Sequence, residues 1–202
     1  ALYIPQVSMI AGVAENTEEA FSELARMAEP GKPVAIIGDS PPVDHPDWIV
    51  VQRGEGFQMT CDTPIEYENR GIGSLTPDDV PQMMELVELT EPGPFAPRTI
   101  EMGDYIGIKI DGRLVAIGGE RLKPEGYTSI SAVCTHPEHR GRGYAKAIMG
   151  TLTDMILERG ETPFLHVFAN NTPAIKLYEK LGYETRRTVR VAGMVRKPST
   201  EG

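Results

Sequence analysis

The chain has 202 residues, 40% of them hydrophobic, and a net charge of −9. This is enough to bury a core in one large domain or two small ones. The acidic excess argues against a general nucleic-acid-binding protein, and no apolar run approaches the roughly 20 residues of a membrane span. Residues 1–5 also lack the basic flank and apolar core of a signal peptide.

The two cysteines, Cys61 and Cys134, fit neither a disulfide framework nor a CxxC metal pair. This favours a reducing cytoplasm and a chain that holds no metal. With the charge and the lack of long apolar runs, we expect a monomer or a homodimer that binds neither nucleic acid nor membrane.

The first third of the chain predicts one helix and three strands. Thr17 can cap a helix whose apolar residues recur at helical spacing until Pro30. The predicted strands are Val34–Ile37, Trp48–Val51 and a short one at Phe57–Thr60.

The polar stretch from Cys61 to Gly73, which contains Pro64, indicates a linker or an exposed edge. A domain boundary in it divides the chain into an N-terminal α/β region, residues 1–68, and a second domain, residues 69–202.

The second region begins with a strong helix start, in which Thr76 is the cap, Pro77 lies in the first turn and two acids follow. After Pro92 breaks this helix, one further turn is predicted near Arg98–Met102. Asp111-Gly112 favours a tight turn between two strands, which predicts a hairpin over Tyr105–Ile117.

The remaining elements alternate between strand and helix. A strand over Thr128–Thr135 leads through a glycine loop into a helix that ends at Gly160, and the apolar run Phe164–Phe168 predicts a buried strand. Thr172 can cap the next helix, which Gly182 ends, and the tail up to Met194 predicts one or two strands.

The glycine loop predicts an anion-binding site. A strand, a proline, two glycines and a helix start follow one another over residues 133–145, which leaves several backbone N–H groups free at the positive end of the helix dipole. Arg140, Arg142 and Lys146 stand against Glu138, a local charge of +2 over residues 136–146. In a chain this acidic, such a loop indicates a seat for a phosphate or pyrophosphate.

Two motifs in this order resemble the signatures of the GNAT acetyltransferase superfamily. Arg140, Gly143 and Ala145 form R-x-x-G-x-A, which is similar to its acyl-CoA signature, and the run Ser131–Pro137 is similar to its FR47-like branch. Residues 171–183, NTPAIKLYEKLGY, resemble the second signature, N-x-x-A-x-x-L-Y-E-K-L-G-F, with Tyr183 in place of Phe. The resemblance covers roughly residues 72–195 and implies a mixed α/β sheet of the GNAT acyl-CoA acyltransferase fold, preceded here by an additional N-terminal α/β region.

The resemblance implies a site for acetyl-CoA as cosubstrate, with no metal. The backbone of Val133, Cys134 and Thr135 would pair with the pantetheine amides. The pyrophosphate would lie in the loop formed by Arg140, Gly141, Arg142, Gly143, Tyr144 and Ala145. The side-chain amide of Asn171 would bind the pantetheine arm. Gly141 and Gly143 permit positive φ and close approach of a phosphate.

The implied reaction is direct attack of a small-molecule or amino-acid-like primary amine on the acetyl carbonyl, without an acyl-enzyme. Tyr178 would be the general acid that protonates the leaving thiolate, because the phenol pKa near 10 exceeds that of a thiol. An amide of Thr135 or a neighbour would polarise the carbonyl.

Glu101 and Glu120 could each act as the general base through water, and the sequence favours neither. For each of them, an ion pair with a neighbouring cation is the expected role. Cys134 is expected to be a core residue, His136 and His139 turn residues, and His166 a hydrogen-bonded core residue.

Two other functions stay open. The chain could be a non-catalytic module that binds or senses acyl-CoA, with residues 1–70 covering the acceptor channel. Residues 1–68 could equally be a degenerate GNAT-like half. A nucleotide-phosphate binder is a weaker alternative, because the P-loop Lys-Ser/Thr and the G-x-G-x-x-G pattern are both missing.

Overall fold

A computed structural model describes residues 1–198, which form four α-helices and nine β-strands. The helices are α1 (Glu18–Met27), α2 (Val80–Thr90), α3 (Tyr144–Glu158) and α4 (Thr172–Lys180). The strands are β1 (Ile10–Ala11), β2 (Pro33–Gly38), β3 (Trp48–Thr60), β4 (Ile72–Ser74), β5 (Tyr105–Ile110), β6 (Arg113–Glu120), β7 (Tyr127–Thr135), β8 (Thr162–Phe168) and β9 (Glu184–Arg196). Short 3₁₀ turns cover Pro77–Asp79, Thr99–Met102 and Pro137–His139.

All nine strands belong to one mixed sheet, in the order β1-β2-β9-β3-β8-β7-β6-β5-β4. The parallel neighbours are β1 with β2 and β7 with β8, and the other pairs are antiparallel. This confirms the mixed α/β class. The division at residue 68 stays a prediction, but the two regions share the sheet, because β3 pairs with both β8 and β9.

The helices divide the sheet into two faces. The back face carries α1, α3 and α4: Phe21 and Leu24 of α1 pack against β2 and β9, while Ile148 and Leu152 of α3 join the main core. The front face carries α2, whose Met83 packs with Ile117 and Cys134. Because α2 covers only the β6–β7 side, no helix covers the front face of β8, β3, β9 and β2 among the described residues.

Several local predictions are confirmed. Thr17 accepts the Ala20 N–H at 3.3 Å and caps α1, and Thr76 forms a reciprocal capping box with Asp79. Asp111 and Gly112 have φ of 49° and 79°, as a primed hairpin turn requires.

Strand β3 is longer than predicted, and β9 agrees with the single-strand alternative for the tail. Strand β3 runs without interruption over 13 residues, through the polar stretch Gln52–Glu55, and β9 is a single strand of the same length. Strand β3 is bulged between Val50 and Gln52. Bulges and polar residues disturb the alternation by which a strand is recognised.

The segment 61–71 is irregular, as predicted, but it is not simply an exposed linker. Cys61 and Ile65 are buried in the main core. A β-carbon on Gly150 of α3 would collide with the ring of Tyr67, so the segment lies directly on α3. Its apolar residues follow no regular period, so the sequence does not indicate this packing.

Candidate active site

Strands β7 and β8 splay apart. Their parallel register covers three pairs, from Tyr127–Thr162 to Ser129–Phe164, although β7 continues to Thr135 and β8 to Phe168. Past Ser129, the side of β7 that faces β8 has no strand partner among the described residues. Unpaired strand edges can accept an added extended segment.

Strand β7 is also bulged within the splayed part. In its register with β6, Ile117 pairs with Cys134 and Gly119 with Ser131, so that Ala132 and Val133 together oppose Gly118. Ala132 has φ of 56°, a left-handed conformation that is uncommon for a residue with a β-carbon. Such strained positions cluster at functional sites.

A cavity of about 440 Å³ passes through the sheet at the splay. Alternation along β7 and β8 places Ile130, Leu165 and Val167 on the back face, and Ser129, Ser131 and His166 on the front face. All six line the cavity. On the back it is also lined by Met149, Asn171 and Tyr178, and on the front by Arg121, Pro92–Pro94 and residues of β1, β2, β3 and β9.

The glycine loop has the predicted backbone conformation. Gly141 and Gly143 have φ of 76° and 80°, and Gly143 is the N-cap of α3. The two arginines brace the loop: Arg140 Nε donates to the Thr135 carbonyl at 3.4 Å and Arg142 Nη2 to the Glu138 carbonyl at 3.3 Å. The turn therefore leaves free N–H groups at the start of a 15-residue helix.

A third arginine lies beside this loop. Arg70 Nη2 is 3.9 Å from the position that a β-carbon on Gly143 would occupy, and it forms a 2.5 Å ion pair with Glu68. Arg70 reaches the loop because segment 61–71 packs on α3. The sequence analysis missed it, and its position within a polar stretch carries no signal of this contact.

Tyr178 and Asn171 lie at the back of the cavity. Burial raises the pKa of the Tyr178 phenol, whose ring is 6.2 Å from that of Tyr183. Asn171, rather than Thr172, is the N-cap of α4: its Oδ1 accepts the Ala174 N–H at 3.3 Å. The Nδ2 group of Asn171 stays available as a donor. The Thr135 hydroxyl, at the end of β7, is buried with no hydrogen-bond partner among the described residues.

The fold recurs in a solved structure. A protein described as a GNAT-family acetyltransferase, from Novosphingobium aromaticivorans, is 34% identical to this chain and superposes with a TM-score of 0.88. The match covers 96% of this chain and 87% of that one. The chain belongs to the GNAT acetyltransferase family. The match includes most of residues 1–68, which therefore belong to an architecture that the two proteins share.

Further comparisons agree with this assignment. The model of the FR47-like protein family matches residues 105–191, which confirms the FR47-like branch. Over 62 residues the chain is 44% identical to the catalytic subunit of the N-terminal acetyltransferase B complex of Arabidopsis thaliana, and over 56 residues 41% identical to an acetyltransferase of Yersinia pestis. These matches cover 30% and 27% of this chain and only 36% and 39% of those relatives. A GNAT protein from Kribbella flavida, 13% identical with a TM-score of 0.56 over 91% of this chain and 75% of that one, shares the fold.

The candidate general bases of this GNAT chain are both held in ion pairs. Glu101 accepts two hydrogen bonds from Arg98, at 2.6 and 2.8 Å, which lower the pKa of its carboxyl. The fully buried Glu120 pairs with Lys123 at 2.7 Å and Arg159 at 2.5 Å, and its pKa is also lowered, because these partners outweigh the opposing effect of burial. The expected ion pairing is confirmed for both.

Cys134 is packed in the core, and His136 is hydrogen-bonded within a turn. Cys134 faces α2, and burial raises the pKa of its thiol to about 11, which disfavours the nucleophilic thiolate. His136 Nδ1 accepts the Glu138 N–H at 3.3 Å in the turn before the glycine loop. Within residues 1–198, no group of three His, Cys, Asp or Glu side chains is placed to hold a metal ion, and no helix is long and apolar enough to span a membrane.

His166 has a more specific environment than the sequence indicates. Its Nε2 is 3.3 Å from Gln58 Nε2, while Gln58 Oε1 accepts hydrogen bonds from Arg186 at 2.7 Å and Arg187 at 3.1 Å. Because the two arginines fix the orientation of the Gln58 amide, its N–H₂ group donates to His166, which must then be neutral with its proton on Nδ1. The expected hydrogen-bonded role is confirmed.

Proposed function

We propose that this chain transfers the acetyl group of acetyl-CoA to a primary amine of a small-molecule or amino-acid-like acceptor. The observation that carries the proposal is the cavity, which joins Tyr178 and Asn171 on the back face to an open groove on the front face through the gap between β7 and β8. A donor from one face and an acceptor from the other would meet in this gap. Its volume lies within the range of small-molecule sites.

The donor would bind along the back of the gap. The free N–H groups at Gly141–Ala145 would hold the pyrophosphate, and Arg70 would add charge from the side of Gly143. The pantetheine arm would pair with the unpaired edge of β7 over residues 133–135, where the Thr135 hydroxyl lacks a partner. The Asn171 amide would donate to the same arm.

The chemical step would follow from this placement. The amine nitrogen attacks the acetyl carbonyl carbon, and the oxygen gains negative charge. The extra residue of the bulge leaves an N–H without a ladder partner, so an amide of Ala132 or Val133, which line the cavity, would stabilise this oxygen. The carbon–sulfur bond then breaks and Tyr178 protonates the leaving thiolate. The one proton lost by the amine passes through solvent to the Tyr178 phenolate, which restores the phenol.

The N-terminal region would form the acceptor side. Residues of β1, β2 and β3 line the front of the cavity and leave it open. This favours an enzyme over a binding module whose acceptor channel is filled. A cytoplasmic location, supported by two free and buried cysteines, stays part of the proposal.

The first test is calorimetric titration of the protein with acetyl-CoA, beside ATP and NAD. We expect saturable binding of acetyl-CoA and none of the other two at the same concentrations. If acetyl-CoA binds no better than ATP, the proposal is wrong.

The second test is an acceptor screen that measures free thiol released from acetyl-CoA in the presence of amines, amino acids and peptides. Release that depends on both the amine and the protein supports the transferase. Tight binding of acetyl-CoA with no release for any amine would instead support the binding module.

A further inference from the structure

Arg121 is a half-buried cation that has no anionic partner among the described residues. It follows β6 directly, and its backbone N–H donates to the carbonyl of Ser129, the last residue of β7 that pairs with β8, at 3.0 Å. Its Nη1 donates to the Pro94 carbonyl at 3.1 Å, whereas its Nε is buried and unpartnered, and no Asp or Glu within residues 1–198 forms an ion pair with it. Buried polar groups are normally hydrogen-bonded, so this guanidinium carries an unsatisfied donor and an unpaired charge at the cavity wall.

Two polar side chains near Arg121, those of Tyr105 and His166, can both donate hydrogen bonds. The hydroxyl of Tyr105 is also buried, with no hydrogen-bond partner among the described residues; burial raises its pKa to about 12, and the charge of Arg121 acts in the opposite direction. His166 presents a proton on Nδ1, and its pKa is lowered by burial and by Arg121 and Arg187. Both side chains can therefore donate hydrogen bonds to an anion, and Arg121 and Arg187 disfavour a positive charge on the His166 ring.

The charge of the cavity wall also favours an anionic ligand. Arg121 is the one residue of full charge among the described residues that line the cavity, and neither Asp nor Glu is among them, although the whole chain carries −9. Most of the remaining front wall is apolar, including Ile37, Val191 and Phe168. This wall would bind an anionic group with an apolar body and would favour an amine in its neutral form.

We propose that the acceptor carries a carboxylate in addition to its amine, and that Arg121 binds this carboxylate. The inference rests on the proposed function and narrows its substrate class. Arg121 adjoins the point where β7 and β8 separate, so a carboxylate bound to it would place an α-amino group, two bonds from the carboxylate carbon, at the mouth of the gap. A guanidinium can bind a carboxylate through two parallel hydrogen bonds.

The test compares matched acceptors that differ only in this group, namely α-amino acids with their primary amides, such as L-leucine with L-leucinamide. We expect the wild type to favour the acids by roughly ten- to a hundredfold in kcat/KM. Arg121→Gln should remove this preference, with less than about threefold change on the amides. Arg121→Lys, which keeps the charge but not the fork, should keep part of the preference.

A purely structural role predicts a different result. If Arg121 served only to hold Pro94 at the rim, Arg121→Gln would lower turnover of acids and amides by the same factor. Arg113→Gln, at an exposed arginine of β6, is the matched control and should leave the ratio unchanged. Equal turnover of acids and amides by the wild type, or a preference that survives in Arg121→Gln, would overturn the inference.

Product binding separates this inference from the proposed function. N-acetyl-L-leucine and its amide are titrated into the protein saturated with CoA, with melting temperatures showing that each variant is folded. Binding of acetyl-CoA with no preference for the acid, in product binding or turnover, refutes the role of Arg121 alone. Absence of acetyl-CoA binding refutes the proposed function itself.

Discussion

The back and front of the cavity are built in different ways. The back, where the donor is proposed to bind, uses two compact stretches, residues 133–145 and 171–178, each running into a helix start. The front uses β1, β2, β3 and β9 together with Arg121, His166 and the loop at Pro92–Pro94, which lie far apart in the chain. Phosphate binding at a helix N-terminus needs only local backbone geometry, whereas the front wall exists only once distant strands have paired.

The sharpest test of the back is Tyr178→Phe. Without the phenol the thiolate leaves unprotonated, so kcat should fall about a hundredfold or more, while the Kd for acetyl-CoA changes less than about threefold. Tyr183→Phe is the control: it removes a neighbouring buried hydroxyl, which hydrogen-bonds Thr153 at 2.8 Å, and should cost stability but not turnover. Unchanged kcat in Tyr178→Phe would refute its role as the acid.

The local nature of the donor site can be tested at Gly143. Gly143→Ala strains a φ of 80° and places a methyl group where a phosphate would approach, so affinity for acetyl-CoA should fall about tenfold or more. Gly160→Ala, near the other end of α3, strains a φ of 75° beside open space. It should lower stability by a similar amount and leave affinity unchanged. Equal losses of affinity in both variants would mean that helix stability alone is measured.

His166 allows a test of the front wall by pH. Burial, Arg121 and Arg187 lower its pKa from the ordinary 6.5 to about 4. Between these values the unfolded chain binds a proton that the folded protein does not, so stability should decline as pH falls from 6.5 to 4, by at most about 3 kcal/mol. Urea unfolding at stepped pH should show this slope in the wild type and a smaller one in His166→Gln. The same slope in both would place the titration elsewhere.

Substitution of Arg70 should have the smallest effect on binding. Arg70 is also the one residue of the proposed donor site that lies outside the stretches 133–145 and 171–178. Arg70→Gln should weaken acetyl-CoA binding roughly three- to tenfold and make it less sensitive to salt, since an exposed charge is screened. Arg53→Gln is the control, because Arg53 also pairs with an acid on the surface, Asp44 at 3.6 Å, away from the loop. If the two variants bind acetyl-CoA equally well, Arg70 does not contact the donor.

The elements with strong local signals were predicted closely. The caps at Thr17 and Thr76, the turn at Asp111-Gly112 and both glycine conformations in the loop are confirmed, because each depends on the residue's own backbone preference or on contacts within a few positions. Strand β3 was predicted in two pieces, because its middle is polar and is recognisable as a strand only through its pairing with β9.

The sequence by itself determined the family and the proposed donor site, because glycines, a capping residue and a helix start act through neighbours in the chain. Only the tertiary structure decided the rest. It inserted β3 between β8 and β9, laid Tyr67 on α3 so that Arg70 reaches Gly143, and turned Arg121 and His166 toward one cavity. These contacts depend on strand register and on which face each side chain occupies, and a one-residue shift in pairing would reverse the faces without changing any local motif.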